Sequence, residues 1–312
     1  MSKLSIPAVA SLAIFAIFLG APVAAQPDVL ELLVVVDKPA RERWMALAGS
    51  DSQFQKELTS TFVEVNEIFK SLVDNGLQLE VTVKQFLTPD KNIVTSWRKV
   101  DASRAMRRAR KWINKQHVEF DHTVVLINAD LMSSGYEISG YTMMDATCSS
   151  SSVSVAQAKY DYGTVHTLAT LIAQSLSVDN DGEGKASACK SSDGYVMSSS
   201  SHLSQSGNRW SFSSCSAEQI KTYIRYRGCL KMTTAPPLSG NRFGQVVGAE
   251  ETCRRNTGKS VVPGYEAQIC SYLHCLDKTI GTMTYMSLVE SPEGLSCAPG
   301  KMCSRGACVK AI

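Results

Sequence analysis

Several stretches of the chain space their apolar residues regularly. Residues 29–37, VLELLVVVD, are an almost unbroken run of Val and Leu. Such a run predicts a strand covered on both faces. Over residues 51–73, Phe54, Leu58, Phe62, Val65, Phe69 and Leu72 recur at intervals of three and four, the mark of an amphipathic helix. Asn75-Gly76 then turns the chain. LQLEVTVK (77–84) alternates apolar and polar positions and predicts a half-buried strand. Residues 101–115 predict a second helix, with Arg104, Arg107, Arg108 and Lys111 on one face and Ala105, Ala109 and Trp112 on another. The four cations read as a solvated face, with a docking patch for an acidic partner as the alternative. HTVVLIN (122–128) and a shorter stretch near 151–157 predict further strands. Residues 163–177 predict a long helix with Val165, Leu168, Ala169, Ile172 and Leu176 as its buried stripe, running into an acidic turn, and 216–226 predict a last helix starting at Ser216. Strands interleaved with helices make this an α/β chain with a mixed sheet.

Composition adds the compartment. The chain has 312 residues, 44% apolar and 20% charged. This suits a globular protein with a sizeable core. A net charge of +3 is too small to imply nucleic acid as a partner. Lys3 followed by IPAVASLAIFAIFLGAPVAA, with Val23 and Ala25 as the small residues before Gln26, reads as a secretory signal peptide over 1–25. No later segment is long and apolar enough to span a bilayer. All ten cysteines lie beyond residue 147, and an even number in a secreted chain points to disulfides. Six of them, Cys253, Cys270, Cys275, Cys297, Cys303 and Cys308, crowd into a tail too small to rely on its own core. Their pairing has 15 possibilities and that of the other four has 3. No paired Cys-x-x-Cys knuckle favours zinc instead. TTAPPLSGN (233–241) marks a linker, so the expected division is a signal peptide (1–25), an α/β domain (26–232), a linker (233–247) and a cysteine-rich module (248–312). DNDGEG (179–184) resembles the start of a calcium loop, but its twelfth position is Lys190, so it reads as a polar turn. No Gly-x-Ser-x-Gly elbow is present.

The segments ELLVVVD, FDHTVVLIN, SGYTMMDATCSSSSVSV, DGYVMS and RWSFSSCSAEQIKTYI, in that order, resemble the reprolysin branch of the metzincin zinc metalloproteases. That branch includes the ADAM and ADAMTS proteases, the snake-venom enzymes and related proteins of tick and other arachnid saliva and venom. The resemblance covers about residues 29–232, and the tail resembles the cysteine-rich, disintegrin-like region of ADAMTS-type proteins. It implies a metzincin-like fold with a mixed, mostly parallel twisted sheet, a long active-site helix, a methionine turn and a disulfide-rich C-terminal module. It also implies the pairs Cys148–Cys229 and Cys189–Cys215.

The family's chemistry rests on His-Glu-x-x-His-x-x-Gly-x-x-His-Asp. Two histidines four apart on a helix grip zinc, a glycine turns the chain, a third histidine completes the set, and the glutamate activates the bound water. Aligned through NDGEG, this chain has Thr170 at the first histidine, Leu171 at the glutamate, Gln174 at the second histidine, Ser177 at the glycine and Asn180 at the third histidine. Asp181 and the methionine-turn residue Met197 are retained. Starting at His166 instead puts Thr167 at the glutamate and Thr170 at the second histidine. The five histidines, His117, His122, His166, His202 and His274, include no pair four apart. Neutral oxygens are poor zinc ligands beside imidazole or carboxylate, and leucine accepts no proton. Losing a general base alone costs roughly 10²–10⁴ in rate. No cofactor is therefore predicted, although the family implies zinc. The resemblance also implies a possible calcium at Glu31 and Asp121, with Met232 where an asparagine is expected. Only Gln26, Pro27 and Asp28 separate the predicted cleavage from the first strand, so the family's inhibitory pro-segment is expected to be absent. The resulting expectation is a secreted, catalytically inactive homologue that binds extracellular matrix or haemostatic proteins, with no nucleic-acid partner and no membrane span. The rival is an active zinc endopeptidase with unorthodox ligands drawn from His166, Asp179 and Asp181. A third reading is a decoy that sequesters protease inhibitors or shared partners.

Overall fold

A computed structural model describes residues 27–94, 98–199, 207–231, 233–280 and 283–311. The predicted signal peptide, His202 and Met232 lie outside them. In chain order the elements are β1 (Asp28–Val36), α1 (Lys38–Ala48), α2 (Asp51–Lys70), β2 (Leu79–Leu87), β3 (Lys99–Asp101), α3 (Ala102–Ile113), β4 (His122–Ile127), β5 (Asp130–Ser133), β6 (Tyr136–Ile138), β7 (Gly140–Thr142), β8 (Val153–Gln157) and α4 (Gly163–Ser175). They continue with α5 (Ser214–Ile224), α6 (Phe243–Val246), α7 (Ala249–Thr257), β9 (Tyr272–Ile280), β10 (Met283–Glu290), β11 (Ser296–Ala298), β12 (Lys301–Ser304) and β13 (Ala307–Lys310).

The central sheet has the order β2-β1-β4-β8-β7. Its first four strands are parallel, and β7 runs antiparallel to β8 at the edge. Successive side chains of a strand point to opposite faces, and β1 uses both. Leu30, Leu32, Val34 and Val36 enter the core beneath α1, α2 and α4. Leu33 and Val35 enter a second core beneath α3. This is the both-faces burial that the unbroken apolar run predicts.

Element ends differ from the sequence reading by a few residues. α2 stops at Lys70 and tightens into a 3₁₀ turn over Ser71–Asn75, closed by Gly76 at φ 71°. α5 begins at Ser214, two residues before the predicted Ser216, because the Ser213 hydroxyl accepts from the Ser216 amide and caps it. α1 was not predicted. Five of its first six residues are charged or proline, and only Ala40 and Trp44 are buried, so no apolar stripe announces it.

The disulfides are Cys148–Cys229, Cys189–Cys215, Cys253–Cys275, Cys270–Cys303 and Cys297–Cys308. The first two are the pairs the resemblance implied. Cys253, Cys270, Cys275 and Cys303, with Leu273 and Leu295, form a small separate core.

Two glutamates on α2 hold this C-terminal region in place. Glu57 and Glu64 are seven apart, two turns on one helix face, and each is 1% exposed. Glu57 accepts both guanidinium nitrogens of Arg255 on α7, at 2.9 and 3.0 Å, and the Trp44 indole N–H at 2.7 Å. Glu64 accepts Nε and Nη2 of Arg242, each at 2.7 Å, and the Phe243 amide at 2.9 Å. The stretch expected as a linker is thus packed on α2, with α6 inside it. Removing one partner of a buried ion pair leaves an uncompensated charge and costs about 3–5 kcal/mol. Arg255→Met should lower unfolding free energy by about that amount, and adding Glu57→Leu should recover part of it. Guanidinium denaturation checks both, and an Arg255→Met midpoint equal to wild type would contradict the clamp.

Candidate functional site

α4 is positioned from within. Val165, Leu168, Ala169 and Ile172 are fully buried against the sheet and α2, and Leu176 follows in the same stripe. The opposite face of α4 therefore forms one wall of a cleft of about 670 Å³. Thr170, Leu171, Gln174 and Asn180 all line it.

Each of these side chains has a partner. Gln174 Nε2 donates to Asn180 Oδ1 at 3.4 Å, so two of the positions aligned with zinc ligands bond to each other. Asn180 in turn donates to Glu183 at 3.2 Å. Thr170 donates to the Val196 carbonyl at 3.3 Å, beside the fully buried Met197. Leu171, where the family's base would stand, is 4% exposed and packs onto the edge strand. A methyl group added at Gly140 on β7 would lie 2.4 Å from Leu171 Cδ1. The position of the base has become a packing contact.

The turn after α4 keeps its backbone. Ser177 lies at φ 66°, in the left-handed region that glycine adopts freely and other residues at a cost of about 1–2 kcal/mol. Val178 then donates to the Ala173 carbonyl at 3.2 Å and closes the helix end. Asp181 is fully buried. Its amide donates to the Met197 carbonyl at 2.9 Å, and its carboxylate accepts the Ser213 hydroxyl at 2.6 Å. Burial pushes its carboxyl upward, against the pull of that hydroxyl. It joins three segments: the end of the motif, the Met197 turn and the start of α5.

The residues present do not fit zinc. At the aligned positions stand a hydroxyl, two amides and an alkyl group. Among the described residues, His122, His274 and His117 do not line the cleft. His122 is sealed between the hydroxyls of Ser152 and Ser154 at 2.8 and 2.7 Å, and burial holds its imidazole down to about 3. His274 stacks on Tyr265 with ring centroids 4.0 Å apart, and His117 is exposed. Nor does the structure bring His166, Asp179 and Asp181 together. Asp179 accepts the Lys185 amide at 2.8 Å within its polar turn, and Asp181 faces Ser213. Among the described residues, the groups of His, Cys, Asp and Glu that converge closely are Cys270, Cys297 and Cys308, and Asp121 with Cys148 and Cys229. All those cysteines are in disulfides.

His166 has a partner that sequence reading missed. Its Nε2 lies 2.6 Å from Glu290 Oε1 on β10. Arg209 stands 3.9 Å from the same oxygen and lies over the Trp210 ring. Burial raises the Glu290 carboxyl, but His166 and Arg209 outweigh it and leave the group below its usual range. The cysteine-rich region thus contributes Glu290 to the lining of the cleft. Nothing local to Glu290 signals this.

The calcium expectation meets a different arrangement. Glu31 Oε2 takes the Lys84 ammonium at 3.0 Å. Its Oε1 accepts Thr233 Oγ1 at 2.9 Å and the Ala235 amide at 2.6 Å. Asp121 Oδ2 accepts the Glu31 amide at 2.8 Å. With an ammonium already on Glu31, these residues do not fit a divalent cation. Burial raises Glu31, yet the Ala235 amide and Lys84 outweigh it and hold the carboxyl at about 2. Burial, with Glu31 beside it, pushes Asp121 up to about 6.

A mostly parallel sheet, a long helix along a cleft, and a left-handed turn leading back to a buried methionine define a metzincin-like domain. Residues 29–236 match the family model described as "Reprolysin (M12B) family zinc metalloprotease", and the chain belongs to that family. Two human relatives are "A disintegrin and metalloproteinase with thrombospondin motifs 6" and its namesake "14". The first is 25% identical over 156 residues, 47% of this chain, and the second 24% identical over 229 residues, 66% of it. The chain spans only 14% and 17% of those two proteins. A solved structure of metalloproteinase-II from Bacteroides fragilis is 13% identical, with a TM-score of 0.36 over 55% of this chain and 46% of that one. No helix among the described residues is long and apolar enough to cross a membrane.

Two outcomes follow from this geometry. Gly140→Ala should cost about 1–3 kcal/mol by overpacking against Leu171, and Leu171→Ala in the same chain should relieve much of it. A double-mutant cycle by chemical denaturation reads the coupling, and additive effects would refute the contact. The second outcome concerns pH. Asp121 is raised, so from about pH 6 down towards its ordinary 3.8 the folded chain holds a proton that the unfolded chain has released. Its contribution to stability therefore grows as pH falls through 6. Glu31 is lowered, so its contribution is present above its ordinary 4.5 and is lost as pH falls towards 2. Wild type should gain stability relative to Asp121→Asn between pH 7 and pH 5. Parallel stability curves would overturn the assignment.

Proposed function

We propose that this protein is a secreted, catalytically inactive homologue of reprolysin-type zinc metalloendopeptidases that acts by binding extracellular proteins. The observation that carries the reading is the side-chain content of the α4 wall. Thr170, Gln174 and Asn180 offer neutral hydrogen-bonding groups where the family places imidazoles. Leu171 is packed on Gly140 where the family places its base. Without a metal ion and a base, no water is activated and no charge on a tetrahedral intermediate is stabilised.

The cleft still suits an extended polypeptide. β7 is the edge strand of the sheet beside it, with its outer edge unpaired in that sheet. An edge strand gives main-chain hydrogen bonds to an added strand, and side-chain pockets give specificity. The amides of Gln174 and Asn180 lie along the same groove. Five disulfides support an oxidising, extracellular setting. Matrix proteins, haemostatic proteins and protease inhibitors are the partner classes on this reading. The tail is the region that resembles a disintegrin-like module.

Elemental analysis of disulfide-intact protein purified without chelators is the test. Zinc is expected below about 0.1 equivalent per chain, since a structural or catalytic site needs three or four imidazole, thiolate or carboxylate ligands. Near one equivalent, or peptide cleavage that a chelator abolishes, would sink the proposal.

A further inference from the structure

The positive charge of this chain is concentrated in one place. Residues 91–115 carry nine cations, Lys91, Arg98, Lys99, Arg104, Arg107, Arg108, Arg110, Lys111 and Lys115, against one carboxylate, Asp101. That segment is +8 in a chain of +3, so everything else together is −5. Among the described residues, none of the nine enters an ion pair. Carboxylates nearby are Asp90, next to Lys91 in the chain, Asp37, which accepts the Ile93 amide, Asp101, which caps α3 by accepting the Arg104 amide, and Asp130, opposite Lys99 in the sheet register.

The cations are ordered as well as numerous. Arg104, Arg107, Arg108, Lys111 and Lys115 are all exposed and recur at three- and four-residue intervals. This spacing aligns them along one face over roughly 16 Å at 1.5 Å per residue. The helix beneath is fixed, because Ala105, Met106, Ala109 and Ile113 are buried in the core under the sheet. Arg108 Nη1 donates to the Val94 carbonyl at 2.8 Å and ties residues 92–94 alongside α3. Between them runs a groove of about 430 Å³, lined by Asn92, Ile93, Arg108, Lys111, Trp112 and Lys115. Cations and an indole in one groove have the chemistry to meet an anionic sugar, the charges its sulfates and the indole its ring.

We propose that this groove and the α3 face bind a sulfated glycosaminoglycan. A linear polyanion fits a line of cations set beside a groove better than a flat bilayer does. The five disulfides place the chain where acidic polymers are sulfated polysaccharides rather than nucleic acid. The site lies on the face of the sheet opposite α4 and does not depend on the fate of the cleft.

The test uses the whole disulfide-bonded chain and a heparin oligosaccharide of defined length, titrated at several salt concentrations. Binding is expected to weaken steeply and log-linearly with salt, as counterion release requires. Arg104→Ala/Arg107→Ala/Lys111→Ala/Lys115→Ala should weaken it at least ~10-fold, since it removes several such contacts. Lys221→Ala/Arg225→Ala/Lys259→Ala/Lys301→Ala removes equal charge from exposed sites elsewhere and should change it by less than ~3-fold. Arg104→Lys/Arg107→Lys keeps the charge and should retain most of the affinity, which guards against a trivial folding defect. Equal weakening by the two quadruple variants would overturn the site. So would no binding by wild type, or equal binding of desulfated oligosaccharide. Capture by phosphatidylserine vesicles without oligosaccharide binding would assign the face to membranes and overturn the proposal.

Discussion

Two carboxylates on one helix face hold the two ends of this molecule together. Glu57 and Glu64 are buried on α2, where an unpaired charge would be severely unfavourable. Each is answered by an arginine from the C-terminal quarter of the chain, with both guanidinium hydrogen bonds in place. Bidentate pairing fixes orientation as well as distance. The cysteine-rich region is therefore seated in one pose, and that pose carries β10 to the mouth of the cleft and Glu290 to His166. The cleft belongs jointly to two parts of the chain.

Within the cleft, packing and chemistry have separated. The apolar stripe of α4, the left-handed turn at Ser177, the buried Asp181 and the buried Met197 are all architectural. Each supports several neighbours at once, so changing any of them disturbs the core. Thr170, Gln174 and Asn180, at the positions of the family's histidines, line the groove and hydrogen bond there. Leu171 is the exception. It lines the groove but also packs against Gly140 on β7.

Much of this was legible from residue order. The Val and Leu run of β1 gives both cores, and Val165, Leu168, Ala169 and Ile172 give the buried face of α4. The motif alignment rests on the resemblance of NDGEG to the end of the family motif, and the structure places Thr170, Leu171, Gln174 and Asn180 along one wall. What escaped had no local signal. α1 buries two side chains and is otherwise polar, so periodicity is silent. β5, β6 and β7 are three or four residues long, too short for alternation to show. The pairs His166–Glu290 and Arg255–Glu57 join residues more than a hundred positions apart and exist only once the C-terminal region is docked.

The core of that region is built largely of cystine sulfur: Cys253, Cys270, Cys275 and Cys303 around Leu273 and Leu295. Such a core has little to collapse upon before its bonds form. Arg242 and Arg255, the partners of Glu64 and Glu57, come from the same part of the chain. Glu290, the residue this region contributes to the lining of the cleft, is thus carried by a small body whose core is made of disulfides.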